Sequence, residues 1–229
     1  MPSDFDENGL AVPGINEYRL KPDANPTVSY DSNHPYIRHL IEMGLVVPTE
    51  HQEPGLGPYF REGAPYRAKI TPPYEPGEVL LIRGRVWAHD TKEPLGGARM
   101  EVWQANKNGR YDNEDRDTSP TQNSFVNRAR VYCDRAGYYE FETIHPGAYK
   151  RKLTSGQVIW RAPHIHLRVK SSGYRDLVTQ LFFSGDDHHE DDPYIIPSLI
   201  ITLTEKTHGG MTYKEGVFDL VLSPDPPDA

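Results

Sequence analysis

The stretch Trp160-Arg161-Ala162-Pro163-His164-Ile165-His166-Leu167-Arg168-Val169 decides how this sequence reads. From His164 onward, polar and apolar residues alternate, which is the period of a strand with one face turned to a core. On such a strand His164 and His166 project from the same face, a spacing that suits one metal ion. A strand with two polar side chains on its solvent side gives the same local pattern, so the meaning of the pair depends on its company.

Outward from that stretch, strand signals recur at Val79 to Ala88, Ala98 to Gln104, Ala129 to Cys133, Tyr138 to Thr143, Leu177 to Phe183 and Val217 to Leu222. Turn-forming runs such as Lys92 to Gly97 and Asp134 to Gly137 separate several of them. With 21 prolines, 19 glycines and 14 tyrosines in the chain, this pattern predicts a mainly β fold with a two-sheet antiparallel β-sandwich core. Residues 1–73 are irregular and rich in Pro, Asp and Asn. They read as an N-terminal arm packed on the core, with one short helix from Pro35 to Gly44, where Ile37, Leu40 and Ile41 share a face. Residues 74–229 form the sandwich domain. The run Asp186 to Asp192 reads as a solvated loop, and the basic segment Lys150-Arg151-Lys152 reads either as solvated charge or as an attractor of a carboxylate-bearing ligand.

A length of 229 residues gives room for one substantial core. Thirty-three acidic against 25 basic residues leave a net charge of −8, with no basic cluster interleaved with aromatics, so no nucleic-acid partner is expected. The single cysteine, Cys133, rules out an intrachain disulfide and a cysteine-based metal site. It fits a reducing compartment and reads as a small core hydrophobe. No stretch approaches the ~20 apolar residues needed to span a bilayer, and the N-terminus lacks a basic and apolar leader. The expectation is a soluble, cytoplasmic protein with no membrane partner.

Two tyrosines join the histidines once turn chemistry is considered. Tyr111 ends Asn108-Gly109-Arg110-Tyr111 and Tyr149 ends His145-Pro146-Gly147-Ala148-Tyr149, each a turn after a predicted strand, where a rigid sandwich commonly carries its sites. Two phenolates and two imidazoles form a hard, anionic donor set that points to iron(III). A bound cation would pull the tyrosine pKa below its free value of ~10. Zinc sites more often use His with carboxylate or Cys, and iron(II) oxygenases use two His with one carboxylate. Taken singly, the residues have plainer readings. Tyr149 could be a corner tyrosine, Tyr111 a turn aromatic, and Arg161 the partner of an acid in the Asp-rich run. Trp103, Trp160 and Phe141 read as core or pocket wall.

A longer ordered set narrows this further: Gly57-Pro58-Tyr59-Phe60 with Gly63-Ala64-Pro65; Val102-Trp103-Gln104-Ala105-Asn106 leading to Gly109-Arg110-Tyr111; and Asp134 with Gly137-Tyr138-Tyr139 and Phe141. It continues through Pro146 to Tyr149, Trp160 to His166, Gly173-Tyr174-Arg175 and Thr179-Gln180-Leu181-Phe182-Phe183. This order resembles the intradiol ring-cleavage dioxygenases of the catechol, hydroxyquinol and protocatechuate group, from Gly57 to Asp187. The resemblance implies an enzyme that uses O2 to cleave an aromatic ortho-diol between its two hydroxyl-bearing carbons, giving a cis,cis-muconate-type diacid. It implies a mononuclear, non-haem Fe(III) held by Tyr111, Tyr149, His164 and His166, with Tyr149 and His166 as the axial pair.

The same resemblance gives Tyr149 a second role as acceptor of a substrate proton. It places Arg161 beside the substrate ring as a fixed cation, and Gln180, Tyr59 and Gly109 at further substrate-binding positions. The implied partners are a small aromatic diol and O2, and the implied assembly is a homo-oligomer, in its simplest form a dimer. Residues 57–65 and 173–183 look closer to the catechol and hydroxyquinol enzymes, so the expected diol carries no carboxylate, with protocatechuate as the other candidate. Residue 151 is Arg, where protocatechuate enzymes tend to place an aromatic. A second pattern, Gly84-Arg85-Val86 through Gly97-Ala98 to Asp134, Gly137, Phe141 and Pro146-Gly147, resembles non-catalytic transthyretin-like and carboxypeptidase-regulatory-like sandwich modules. That alternative leaves Arg161, His164 and His166 without a purpose.

Overall fold

The computed structural model describes residues 48–52, 55–113 and 125–226. The helix expected from Pro35 to Gly44 lies outside the described residues. The strands run in the order β1 (Val79–Ala88), β2 (Arg99–Gln104), β3 (Arg128–Tyr132), β4 (Tyr138–Ile144), β5 (Tyr149–Lys152) and β6 (Val158–Arg161). They continue with β7 (His164–Lys170), β8 (Leu177–Phe183), β9 (Ile200–Ile201), β10 (Thr204–His208), β11 (Met211–Val217) and β12 (Leu220–Leu222).

β1 is the hub of the first sheet. It pairs antiparallel with β4 from Val79↔Ile144 to Arg85↔Tyr138, and parallel with β11 and then β12, while β10 adds to β11 as a hairpin. The second sheet has the order β3-β2-β7-β8-β9 and is antiparallel except for β8 with β9. β5 and β6 form a separate two-stranded hairpin. The β-sandwich expectation holds, but its sheets are mixed rather than purely antiparallel. A parallel pair needs a long crossover, and here β11 and β12 return to β1 only after the whole second sheet has been built. Local periodicity carries no information about the direction of such a return.

The expected strand from Val217 to Leu222 is split for a visible reason. Between β11 and β12 the buried Asp219 turns its carboxylate inward, accepting from the Arg85 backbone N–H at 2.9 Å and the Trp87 indole N–H at 3.3 Å. Tyr139 reaches the same corner and donates its hydroxyl to the Phe218 carbonyl. A buried carboxylate needs such donors, and meeting them interrupts the ladder.

The apolar residues of both sheets meet in one cluster that includes Ile82, Met100, Phe141, Ile165, Leu167, Val169, Leu181 and Cys133. On β7 the alternation therefore sends Ile165, Leu167 and Val169 into the sandwich and His164 and His166 to the opposite face. That face is not open to water. The arm crosses it, with the Gln52 N–H donating to the Val178 carbonyl at 2.8 Å, while Ile70 inserts into the core and donates its N–H to the Glu142 carbonyl at 2.9 Å. No helix among the described residues is long and apolar enough to cross a membrane.

Candidate metal centre

Two turns set the tyrosines. In the first, the Asn106 side chain accepts from the N–H groups of Asn108 and Arg110 at 2.9 and 3.0 Å, an Asx-type turn. Gly109 follows it with φ at +75°, a left-handed conformation that suits glycine. In the second, the Gly147 N–H donates to the Asn106 carbonyl at 2.9 Å, which docks one turn on the other. There is no room for a side chain between them. A Cβ on Gly109 would overlap the Ala148 carbonyl and stand 2.9 Å from the Tyr149 Cβ, and one on Gly147 would stand 2.8 Å from the Gly109 nitrogen. The close approach of these glycines is what brings Tyr111 and Tyr149 to one place.

Four donor atoms then converge on the outer face of β7. The Tyr111 hydroxyl lies 3.1 Å from His166 Nε2 and 3.4 Å from His164 Nε2, the Tyr149 hydroxyl lies 3.4 Å from His164 Nε2, and the two Nε2 atoms are 3.2 Å apart. All four side chains are buried. His164 Nδ1 sits 2.6 Å from the Ala162 carbonyl, which fixes the proton on Nδ1 and leaves Nε2 as a lone pair aimed at the cluster. Trp103 stacks on the His166 ring at 4.7 Å and 3° from across the β2–β7 ladder, holding the imidazole plane.

Electrostatics prepare the group for a cation. Burial, aided by the charge of Arg161, drives the His164 pKa well below the ordinary imidazole value; burial and then His164 do the same for His166. Both rings are therefore neutral, the ligating form. Burial pushes the Tyr111 phenol well above its usual pKa, with the Tyr149 charge adding to the effect. Burial also raises Tyr149 against the lowering influence of Arg161. The protein alone keeps the phenols protonated, and a cation in their midst would reverse that preference.

The edge lengths of the cluster fit a single ion. Two ligand atoms each ~2.1 Å from a common centre and about 100–110° apart are themselves about 3.2–3.4 Å apart, the separations observed here. Two phenols and two imidazoles, with no carboxylate or thiol, suit a hard, highly charged cation better than zinc. Among the described residues no group of three or more His, Cys, Asp or Glu side chains could hold a metal, because half of this donor set is phenolic.

The chain matches the family described as Dioxygenase over residues 56–224. It belongs to the intradiol dioxygenase family. It is 34% identical over 189 residues to the chlorocatechol 1,2-dioxygenase of Pseudomonas sp. (strain P51), covering 76% of this chain and 72% of that one. It is 37% identical over 159 residues to the protocatechuate 3,4-dioxygenase beta chain of Burkholderia cepacia, covering 64% and 65%. The structure of catechol 1,2-dioxygenase from Acinetobacter sp. ADP1 superposes with a TM-score of 0.68 at 28% identity, over 87% of this chain and 71% of that one. Membership selects the enzymatic reading over the non-catalytic module.

In this intradiol dioxygenase the remaining expected residues fall in distinct places. Tyr59 stacks on Tyr111 with centroids 4.1 Å apart and meets Tyr149 edge-on at 6.1 Å, so it walls the site. Gln180 lines the same cleft with Arg161. Gly109 is not among the residues lining this cleft, and its lack of a side chain lets two turns dock.

Arg161 pairs with an acid of the Asp-rich run and also reaches the cleft. It lines the cleft, and its Nε is shared between both oxygens of Asp192 at 3.1 Å, with Nη2 donating to Gln180 Oε1 at 2.6 Å and the Tyr194 ring 4.4 Å below the guanidinium. Asp192 also accepts from the N–H groups of Ala162 and Tyr194 at 2.8 and 2.9 Å and is only 3% exposed. The Asp-rich run is thus not uniformly solvated, since its last member anchors the arginine. Charge composition hid this, because one buried acid looks like the four other acids of the run in sequence.

Asp112 was missed for a similar reason. Next to Tyr111, it accepts from Arg128 Nε at 2.7 Å and Arg61 Nη1 at 3.0 Å, and Arg128 in turn donates to the Tyr59 carbonyl. That network ties the arm to the Tyr111 turn. The lone hint in the sequence was an Asp directly following a candidate ligand.

Proposed function

We propose that this protein uses a mononuclear, non-haem Fe(III), held by Tyr111, Tyr149, His164 and His166, to cleave an aromatic ortho-diol with O2 between its hydroxyl-bearing carbons. The observation that carries this reading is the convergence of four buried donor atoms at 3.1–3.4 Å spacing. A ferric ion held by these four residues would supply a Lewis-acidic centre for the diol oxygens.

The protein supplies the rest. Tyr149, as a phenolate, accepts a proton from an entering diol hydroxyl, and its cross-strand pairing with Arg161 keeps a positive charge beside it. Arg161 cannot swing away, because Asp192, Gln180 and Tyr194 fix three sides of its guanidinium. A fixed cation beside the ring stabilises negative charge as it develops there without reorganisation. Tyr59, with Leu56 and Phe60 packed against the same cluster, covers the site and limits water. Relatives named for chlorocatechol and for protocatechuate share the family, and the side chains of the cleft wall decide between such diols.

The test is an oxygen-uptake panel with catechol, hydroxyquinol and protocatechuate on protein expressed with iron, with product spectra and metal analysis. The expected protein is wine-red from phenolate-to-iron charge transfer and consumes O2 with at least one of the three diols. A colourless, iron-free preparation inert to all three refutes the reading.

A further inference from the structure

Among the described residues of the cleft wall, Arg151 is the cation whose side chain no acid neutralises. Two arginines line the cleft, Arg151 and Arg161, with Gly57, Tyr59, Gln180 and Tyr194. Arg161 is spoken for by Asp192, Gln180 and Tyr194. The Arg151 side chain makes no hydrogen bond or ion pair with any described residue.

Its direction is set by strand geometry. On β5, Tyr149 and Arg151 are two residues apart and share the face that looks into the cleft, while Lys150 and Lys152 are exposed on the other face, Lys150 lying 5.0 Å from the Trp160 ring. In the β5–β6 ladder Tyr149 pairs with Arg161 and Arg151 with Ile159, so both arginines lie on one face of the hairpin. Arg151 is half-buried, and its charge reaches Tyr149, His164 and His166. The basic segment Lys150 to Lys152 is therefore not uniformly solvated: its middle member faces the site.

We infer that Arg151 forms a subsite for an anionic ring substituent, and that this enzyme prefers an ortho-diol carrying a carboxylate over the unsubstituted diol. The inference rests on the proposed diol-cleaving site. With the Arg161 guanidinium held by Asp192, Arg151 is the cation of the described wall left to meet an anionic substituent, and a planar guanidinium matches a carboxylate with two parallel hydrogen bonds. This differs from the expectation of an uncarboxylated diol drawn from residues 57–65 and 173–183, and from the reading of the basic segment as solvated.

The experiment compares kcat/KM for 3,4-dihydroxybenzoate and catechol in the iron-loaded wild type, Arg151→Gln and Arg151→Lys. In parallel, calorimetry measures binding of 4-hydroxybenzoate, which lacks the second hydroxyl, against phenol. The expected wild-type ratio favours the carboxylated diol at least tenfold. Arg151→Gln should lower that ratio at least tenfold, chiefly through KM, with partial recovery in Arg151→Lys and a parallel weakening of 4-hydroxybenzoate. A wild-type preference for catechol, or a ratio unmoved by Arg151→Gln, overturns the inference while leaving diol cleavage intact. Turnover of neither diol, nor of hydroxyquinol, would instead overturn the parent reading, and the calorimetry would still judge the subsite.

Discussion

Removing the Asp192 carboxylate should cost far more than removing an ordinary loop acid. Asp192→Ala strands the Arg161 guanidinium, which is 2% exposed, and takes the acceptor from the Ala162 and Tyr194 N–H groups. Breaking a buried ion pair from one side costs roughly 3–5 kcal/mol, and each orphaned N–H adds about 1–3 kcal/mol unless water reaches it. Because these contributions overlap, we expect a net loss of about 4 kcal/mol, or a Tm lowered by roughly 8–16 °C for a domain of this size.

Asp192→Asn keeps an acceptor oxygen and should fall between wild type and Asp192→Ala. The double variant Arg161→Met/Asp192→Leu should be less destabilised than Asp192→Ala alone, because no buried charge is left unpaired. Thermal and urea unfolding followed by circular dichroism measure all four proteins. Asp192→Ala within about 1 kcal/mol of wild type, or a double variant as unstable as the single one, would refute the claim that a desolvated pair anchors the arginine.

Other predictions follow from the same geometry. Tyr149→Phe should retain part of its iron but lose turnover, whereas His164→Ala should lose the iron itself; metal analysis beside oxygen uptake separates them, and wild-type turnover in Tyr149→Phe would remove its proton-accepting role. Gly109→Ala, forced into left-handed backbone and against Ala148 and Tyr149, should lower stability by about 2 kcal/mol or more and reduce bound iron, both read on the same preparation. Burial pushes the Cys133 thiol up to about 12 from 9.0, so native protein should resist iodoacetamide at neutral pH while unfolded protein reacts. Since the folded pKa exceeds the unfolded one, the stability this thiol contributes is present below about pH 9 and is lost as pH rises toward 12. Denaturation at stepped alkaline pH should show a shallower decline in Cys133→Ala.

The sequence by itself determined what is local. The boundaries of β1 and β8, the Asx-type turns, and the alternation that sends Ile165 and Leu167 one way and His164 and His166 the other all follow from short-range sterics and period-two geometry. The chemical types of the donors were legible too, because phenol and imidazole carry their ligand character wherever they stand. Tertiary structure alone decided which groups meet. The docking of two glycine turns brings Tyr111 and Tyr149 to the histidines. The buried pairing of Arg161 with Asp192 spans 31 residues, and the parallel return of β11 and β12 to β1 leads to contacts such as Arg85 with Asp219, 134 residues apart. The Asp-rich run and the basic segment mark the division well. Sequence shows their charge, but only packing shows that Asp192 and Arg151 are the members turned inward, because desolvation is a property of neighbours brought from elsewhere in the chain.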